Sequence, residues 1–519
     1  MFRKSKGVAW LCLPLLFTTQ SCSSHFEFQQ KALSQCIEID SPDLVPVERY
    51  RWDHANSLAP DWRHVMATPA VGDLDGDRNP EIVFTAYSAT APGTYTGQGA
   101  LRVIRGADGK EKFSVLDPDY SPIGATTPLL IDIDQDGKSE IVYMHYSLQR
   151  VIALNYDGQP RWTFTLPQQL RSCYGGLSGA DLNGDGESEI IVENVILREN
   201  GSRDSVSATL LSGPYQGTSC TAFAMSLDPS RPNEMQIING SGVYAPNGDR
   251  VWAFPQGVSA TNKFFLAAAD VRQDIEGVEV VGVDGGFMTL YNGLTGDVIW
   301  HIQTPSDPGR YNGLPGAGGP PNISDFDGDG KPDIGVANAV FYSVFDSRGQ
   351  LKWSQPNHDY SSNVTGSSVF DFNGDGVAEV LYADEANLRI FNGPTGTTLA
   401  TIPNPSHTLL ENPVVADVDN DGHADLVVPA NNAYNPLTDM GEEGRKINAI
   451  GSGIRVFKAQ SETAWVKTRS VWNQYAYFVT NVTENLTATN ATPTAAGQIQ
   501  KIFRQNVLNQ FEPQCERRR

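Results

Sequence analysis

Short apolar runs alternate with polar loops along most of the chain. Thr68-Pro69-Ala70-Val71 precedes an acidic loop, and Ile82-Val83-Phe84 follows it. Asn412-Pro413-Val414-Val415 and Leu426-Val427-Val428 flank another loop in the same way. Runs of three to eight residues rich in β-branched side chains, bounded by Gly, Pro and Asn, predict strands rather than helices. After each pair of runs comes a segment with a central Gly turn, such as "VIALNYDGQPRWTF", "MTLYNGLTGDVIWHI" and "YSVFDSRGQLKWSQ". These segments predict outer hairpins. Trp162, Trp252, Trp300, Trp353 and Trp465 fall at one corresponding place in the last strand of these segments. A large ring repeated at one place predicts packing between neighbouring units.

The acidic loops set the period. "DLDGDRNPEIVF" (73–84) recurs as "DIDQDGKSEIVY" (132–143), "DLNGDGESEIIV" (181–192), "DFDGDGKPDIGV" (325–336), "DFNGDGVAEVLY" (371–382) and "DVDNDGHADLVV" (417–428). Two weaker copies, "SLDPSRPNEMQI" (226–237) and "DVRQDIEGVEVVGV" (270–283), fill the gap. The spacings between successive starts are 59, 49, 45, 44, 55, 46 and 46 residues. Units of about 40–50 residues with four strands each match propeller blades. The fold expected is therefore all-β, a β-propeller of eight blades. Seven is left open because the fourth unit is weak. "VERYRWDH" (47–54) reads as one more outer strand, with Trp52 at the tryptophan place. Standing before the first full unit, it is expected to join the last blade and close the ring, leaving no free edge.

Carboxylates at loop positions 1, 3, 5 and 9 gather oxygen donors around one point. Such donors in a flexible loop suit calcium rather than zinc or copper. Gly at position 6 (Gly137, Gly186, Gly330, Gly376, Gly422) permits a sharp turn, whereas Arg78 stands there in the first loop. An EF-hand needs a Glu at position 12 and flanking helices. Position 12 here is apolar and the flanks are β-branched, so these loops join strands.

At these residues the chain resembles the FG-GAP or VCBS repeat family, the propeller repeats also found in integrin α-subunits. The resemblance spans roughly residues 45 to 466 and implies calcium sites in six loops. Their ligands would be Asp73, Asp75, Asp77 and Glu81; Asp132, Asp134, Asp136 and Glu140; and Asp181, Asn183, Asp185 and Glu189. The other three sets would be Asp325, Asp327, Asp329 and Asp333; Asp371, Asn373, Asp375 and Glu379; and Asp417, Asp419, Asp421 and Asp425. Ser226, Ser230 and Arg272 depart from the pattern, and no metal is expected in those two loops.

Charge supports this assignment. The 519 residues carry a formal net charge of −22, and the six loops hold 22 carboxylates at positions 1, 3, 5 and 9. Six calcium ions would bring the net charge to about −10. An acidic surface of this size argues against nucleic acid and anionic membranes as partners.

Residues 1–24 read as a secretory signal: Arg3, Lys4 and Lys6 precede the ten-residue apolar run "VAWLCLPLLF". Cys22 stands where a bacterial lipoprotein would be lipidated, although Thr19 and Gln20 match that pattern poorly. A lipid anchor there would be the chain's one attachment to a membrane. Residues 25–44 form a linker, 45–466 the propeller and 467–519 a C-terminal extension. Cys36, Cys173, Cys220 and Cys515 permit three disulfide pairings. Their positions favour Cys36–Cys515 and Cys173–Cys220. In the extension, "SVWNQYAYFVTNV" (470–482) and "IFRQN" (502–506) resemble a segment found behind such repeats in bacterial cell-surface proteins. Trp472, Tyr475, Tyr477 and Phe478 are expected to pack on the outside of the closing blade.

No nucleophile–base pair, phosphate loop or clustered histidines stand out, and no catalytic or organic-cofactor residues are assigned. Tyr120, Tyr174, Tyr311 and Tyr360 recur in the segments entering each inner strand, on the face opposite the acidic loops. They are expected to pack ring to ring and seal the channel; the alternative is that with Asp119, Arg310, His358 and Asp359 they grip a sugar or peptide. The expected function is an exported, calcium-binding module at the cell envelope or outside the cell, with a protein or glycan ligand. A polysaccharide lyase, a class similar in fold and loop motif, and an envelope scaffold are the alternatives.

Overall fold

A computed structural model describes residues 44–52, 54–89, 94–199, 206–212, 220–231, 234–255, 264–433, 436–461, 465–488 and 501–506. The leader, Cys22, Cys36 and Cys515 lie outside the described residues. Eight antiparallel sheets follow one another around a ring, so the count is eight blades rather than seven. From inner to outer strand, blade 1 runs from Ala70–Gly72 to Glu111–Val115 and blade 2 from Leu129–Ile131 to Pro160–Thr165. Blade 3 runs from Ser178–Ala180 to Val206–Leu210, blade 4 from Phe223–Met225 to Arg250–Ala253 and blade 5 from Phe265–Ala269 to Val298–Gln303. Blade 6 runs from Asn322–Ser324 to Leu351–Pro356, and blade 7 from Ser367–Phe370 to Thr398–Pro403. Blade 8 begins at Val414–Ala416, and its outer strand is the N-terminal Pro46–Arg51, paired antiparallel with Gly453–Ala459. That pairing closes the ring as expected.

The outer strands carry a regular seam. Trp252 of blade 4 donates its indole N–H to Gly293 O of blade 5 at 2.7 Å, and Trp300 of blade 5 to Ser347 O of blade 6 at 3.1 Å. Trp353 of blade 6 donates to Gly393 O of blade 7 at 2.6 Å. Each ring thus buries its apolar body against the next blade while satisfying its polar edge. A Cβ on Gly396 would lie 2.5 Å from Trp353. In blade 8 the register assigns this place to Tyr50, whose hydroxyl donates to Gly106 O of blade 1. Trp52 lies beyond the strand and packs edge-on against Phe84, with ring centres 5.0 Å apart. Trp465 also differs from expectation. The run 453–459 is the third strand of blade 8, so no hairpin follows it. Trp465 packs instead on Phe372 beside the blade 7 loop, with ring centres 4.8 Å apart.

The C-terminal extension does not lie outside the closing blade. It fills the axis of the ring. Trp472 exchanges two backbone hydrogen bonds with Val71 of blade 1 (2.8 and 2.9 Å). Asn473 O accepts from Leu130 of blade 2, and the Gln474 side chain accepts from Gly179 of blade 3. Phe503 packs on Phe223 of blade 4, with ring centres 5.0 Å apart, and pairs with Ile323 of blade 6. Tyr475 packs with Phe265 of blade 5. Arg504 O accepts from Val369 of blade 7, and Asn506 donates to Val415 of blade 8. This one segment therefore touches the innermost strand of every blade. Trp472, Tyr475, Tyr477 and Phe478 are all buried. A segment rich in such rings suits an axis whose lining is apolar and whose strand edges still have backbone groups to pair.

A disulfide joins Cys173 and Cys220 across the entries to blades 3 and 4. It fits an exported protein. Among the described residues no helix is long and apolar enough to cross a membrane.

Candidate metal centres in the loops between inner strands

The six acidic loops fold alike because their carboxylates cap the turn's own backbone. The position 1 Asp accepts from the N–H at position 6: Gly137 to Asp132 (3.1 Å), Gly186 to Asp181 (3.0 Å) and Gly376 to Asp371 (2.7 Å). The position 5 Asp accepts from position 7, as in Lys331 to Asp329 (2.8 Å) and His423 to Asp421 (2.8 Å). The position 9 carboxylate accepts from position 2: Leu74 to Glu81 (3.0 Å), Leu182 to Glu189 (2.8 Å) and Val418 to Asp425 (2.9 Å). Gly at position 6 has positive φ throughout, and Arg78 takes the same conformation with φ 70°. Position 4 is also left-handed, at Gly76, Gln135, Gly184, Gly328, Gly374 and Asn420.

Four loops bring three carboxylates together, with one oxygen of each within 4.8 Å of the others. These are Asp73, Asp75 and Glu81; Asp132, Asp134 and Asp136; Asp325, Asp327 and Asp333; and Asp417, Asp419 and Asp425. Oxygens bound to calcium at 2.3–2.6 Å lie no more than about 5 Å apart. The donor set is hard oxygen only. Asp132 is buried and its Oδ1 has no hydrogen-bond partner. The residues therefore fit a calcium ion. Asp77 and Asp329 turn toward the N–H at position 7, and Glu140 is held by Arg161 at 3.1 Å. Blades 3 and 7 have Asn183 and Asn373 at position 3, so Asp181, Asp185 and Glu189, and Asp371, Asp375 and Glu379, supply their carboxylates.

Burial raises several acids of these loops toward neutrality. Glu140 and Asp425 are pushed up to about 8, Asp333 and Asp371 to about 7, and Asp417 to about 6. Asp333 rises although the Lys352 ammonium lies 2.8 Å away, so burial outweighs the nearby charge.

Among the described residues, a cation from the third or outer strand of the blade reaches into five loops, a feature sequence reasoning missed. Lys112 meets Asp75 (2.8 Å) and Glu81 (2.7 Å), and Arg161 meets Asp134 (2.9 Å) and Glu140 (3.1 Å). Arg198 meets Glu189 (2.9 Å), Lys352 meets Asp333 (2.8 Å), and Lys458 meets Asp419 and Asp421 (both 2.6 Å). The blade 4 loop is two residues longer than its alignment, so Gln236 rather than Glu234 takes the place of the position 9 carboxylate and accepts from Leu227. In the blade 5 loop Arg272 pairs with Asp274 at 2.8 Å.

On the opposite face the tyrosines do not form one ring. Tyr311 and Tyr360 lie together, with centres 5.8 Å apart, beside His358 and Arg310. Tyr174 lies with Tyr95 in a separate group, at 6.2 Å. Tyr120 O accepts from Tyr143, and Asp119 sits in a turn held by Asp117. Asp359 is fully buried and accepts from Ser362, Asn363, Thr365 and Thr408. Arg310 donates to Tyr360 and to the carbonyls of Val340 and Asn357. His358 bridges Glu385 (2.6 Å) and Asp439 (2.9 Å). Burial opposes its charge, but the two carboxylates outweigh it and raise the ring to about 9. A separate cleft beside blade 5 exposes Phe287, stacked on His301 with centres 4.9 Å apart, next to Asp284 and Thr289.

Eight blades, seven of four strands and the first with an added fifth (Trp62–His64), define the class: an eight-bladed β-propeller. The FG-GAP-like repeat family matches residues 325–382 and 371–428. No curated protein matches the sequence. The Vibrio cholerae biofilm matrix protein Bap1 superposes with a TM-score of 0.71 at 17% identity, over 90% of this chain and 99% of that one. The exotype rhamnogalacturonan lyase YesX superposes with a TM-score of 0.52 at 13% identity, over 88% of this chain and 79% of that one. At such identities the likeness is one of fold.

Proposed function

We propose that the protein is an exported binding module whose propeller is stabilised by calcium in six loops, with about six ions per chain. The observation that carries this reading is the recurrence of one oxygen-only donor geometry around the ring. The first-ranked ligand is a glycan of the cell surface or matrix, and the Phe287–His301 cleft offers it a stacking face beside the Asp284 carboxylate. The fold shared with a biofilm matrix protein supports that setting. Glycan-array binding in calcium, repeated with Phe287→Ala, tests the reading. It predicts binding lost by about tenfold or more in the variant; unchanged binding, or none to any glycan, contradicts it.

The His358–Arg310–Tyr360 cluster favours a second reading, a lyase acting on an acidic polysaccharide. Arg310 would face the substrate carboxylate; Tyr360, once ionised, would take the proton α to it, and the glycosidic oxygen on the next carbon would leave with a solvent proton as the double bond forms. Formation of an unsaturated product from acidic polysaccharides, abolished in Tyr360→Phe, would support this reading. Its absence on such substrates returns the assignment to binding alone.

A further inference from the structure

Blade 1 carries an added strand that the other seven lack among the described residues. Its second strand, Glu81–Ser88, is eight residues long, but the inner strand Ala70–Gly72 pairs only with residues 81–83. The far end of the second strand takes up Trp62–His64, with Trp62 opposite Ser88 and His64 opposite Tyr87. That register leaves Arg63 as an extra residue. Neighbours in a regular strand face opposite sides, and a bulge re-aims one of them. Arg63 and His64 accordingly line the same pocket, of about 360 Å³, together with Asp61 and Ser88. Asn432, where the chain leaves the second strand of blade 8, stands on its other wall. The pocket thus lies at the junction where the ring closes.

The added strand is held firmly. Arg102 is fully buried and donates to the carbonyls of Leu58, Ala59 (3.0 Å) and Trp62 (3.1 Å). Ala59 is held at a φ of 54°, a left-handed conformation that costs an alanine free energy. On the blade 8 side, Val65 N–H donates to Ala430 O at 3.4 Å, and the Asn431 amide donates to Val65 O at 3.2 Å. A buried guanidinium and a strained alanine are costs, and what they secure is the placing of Asp61, Arg63 and His64.

The pocket's polar groups are not spent within the protein. His64 is only 5% exposed, yet its Nδ1 has no hydrogen-bond partner. Asn432 donates through Nδ2 to Asn448 O at 3.1 Å, while its Oδ1 has no partner. Burial and the adjacent Arg63 lower His64 to about 4, so its ring is neutral and can both donate and accept. The charges of Asp61 and Arg63 offset one another, which favours an uncharged ligand. Asp61 and Asn432 supply acceptors, Arg63 supplies donors, and Ser88 and His64 supply both. A hydroxyl group, which also donates and accepts, matches such a wall, and the volume suits one or two sugar rings. We propose that this pocket binds an uncharged hexose unit of a glycan through its hydroxyl groups. In ligand class this follows the glycan reading above. Its site is separate from the Phe287–His301 cleft of blade 5, on the far side of the ring, and uses none of the acidic loops.

The test is saturation-transfer NMR of the exported chain in calcium, with methyl α-glucoside, methyl α-mannoside and methyl β-galactoside as probes and methyl β-glucuronide as the acidic comparison. At least one neutral glycoside should bind. Asp61→Asn and Arg63→Met, neither at a buried position, should each weaken that binding by about tenfold or more. His64→Phe, which keeps a ring of similar size and removes its nitrogens, should weaken it as much. Thermal unfolding establishes that each variant folds. Phe287→Ala should leave the binding unchanged. Binding lost in Phe287→Ala but kept in Arg63→Met places the sugar in the blade 5 cleft, which overturns this pocket and leaves the glycan reading standing. Binding of no neutral glycoside, or of the glucuronide in preference, also overturns the pocket's assignment.

Discussion

Blades 5 and 6 are neighbours with the same strand order and the same seam, yet their loops differ in kind. In blade 6, Asp325, Asp327 and Asp333 converge on one point, and Lys352 reaches in from a bulge in the outer strand. In blade 5, Arg272 turns outward to Asp274 and the bulge residue is Ile299. Both loops join their strands. The turn itself needs only a position 9 acceptor for the backbone, which Glu279 supplies to Arg272 N–H at 2.8 Å. The additional carboxylates of blade 6 cap the turn's backbone, yet three acids of the loop also converge on one point. They repel one another at close range, by about 4 kcal/mol for a pair about 4 Å apart at an effective dielectric near 20. The proposed bound cation would give such an arrangement a physical reason to recur around the ring and lapse in blades 4 and 5.

Chelation should separate the two blades most strongly. At a hundredfold excess of calcium over its dissociation constant, each filled loop gains about 2.7 kcal/mol. Removing calcium should therefore lower the melting temperature by about 10 °C or more. In hydrogen exchange, the amides of 325–333 should lose protection while those of 270–279 change little. Equal loss in both blades would break the comparison.

The seam should be indifferent to the loops. Trp300→Ala in blade 5 and Trp353→Ala in blade 6 should each cost about 3–5 kcal/mol, measured by denaturant unfolding in excess calcium. A much larger cost in blade 6 would mean that loop and seam are coupled.

Acid–base behaviour sharpens the difference further. Burial raises Glu279 from its ordinary 4.5 to about 7 in the folded chain. Its ionisation therefore opposes folding. The penalty is absent below pH 4.5, grows as pH rises toward 7, and is fully present above. Glu279→Gln should be more stable than the parent above pH 7, and the advantage should vanish near pH 4. An advantage that grew on acidification would contradict the assignment. The smallest effect is expected from Arg272→Ala, which removes an ion pair with a well-exposed Asp274 and should leave the denaturant midpoint nearly unchanged.

Much of this architecture was legible in the chain. The Asp-x-Asp-x-Asp-Gly loops repeat at blade spacing, and "VERYRWDH" supplied the closing strand, because local turn chemistry and β-patterning carry that information. Two features were not legible. Residues 470–506 have no period, and Trp472, Asn473, Gln474 and Phe503 meet different blades, so nothing local marks Trp472 or Phe503 as axial. Lys112, Arg161 and Lys352 look like ordinary solvent-facing strand residues until a bulge in the outer strand turns them inward. Trp465 misled because its hairpin partner is missing: the strand that belongs there comes from the other end of the chain. The tyrosines shared a sequence position but not a neighbourhood, since loop lengths differ from blade to blade.

The central claim is that the six loops are calcium sites that stabilise the ring. Thermal unfolding of residues 25–519 with excess calcium and with a chelator, combined with metal counting, tests it most directly. The account predicts about six bound ions and a melting temperature raised by about 10 °C or more. No bound ion and no shift would contradict it, leaving the acidic repeats as turns alone.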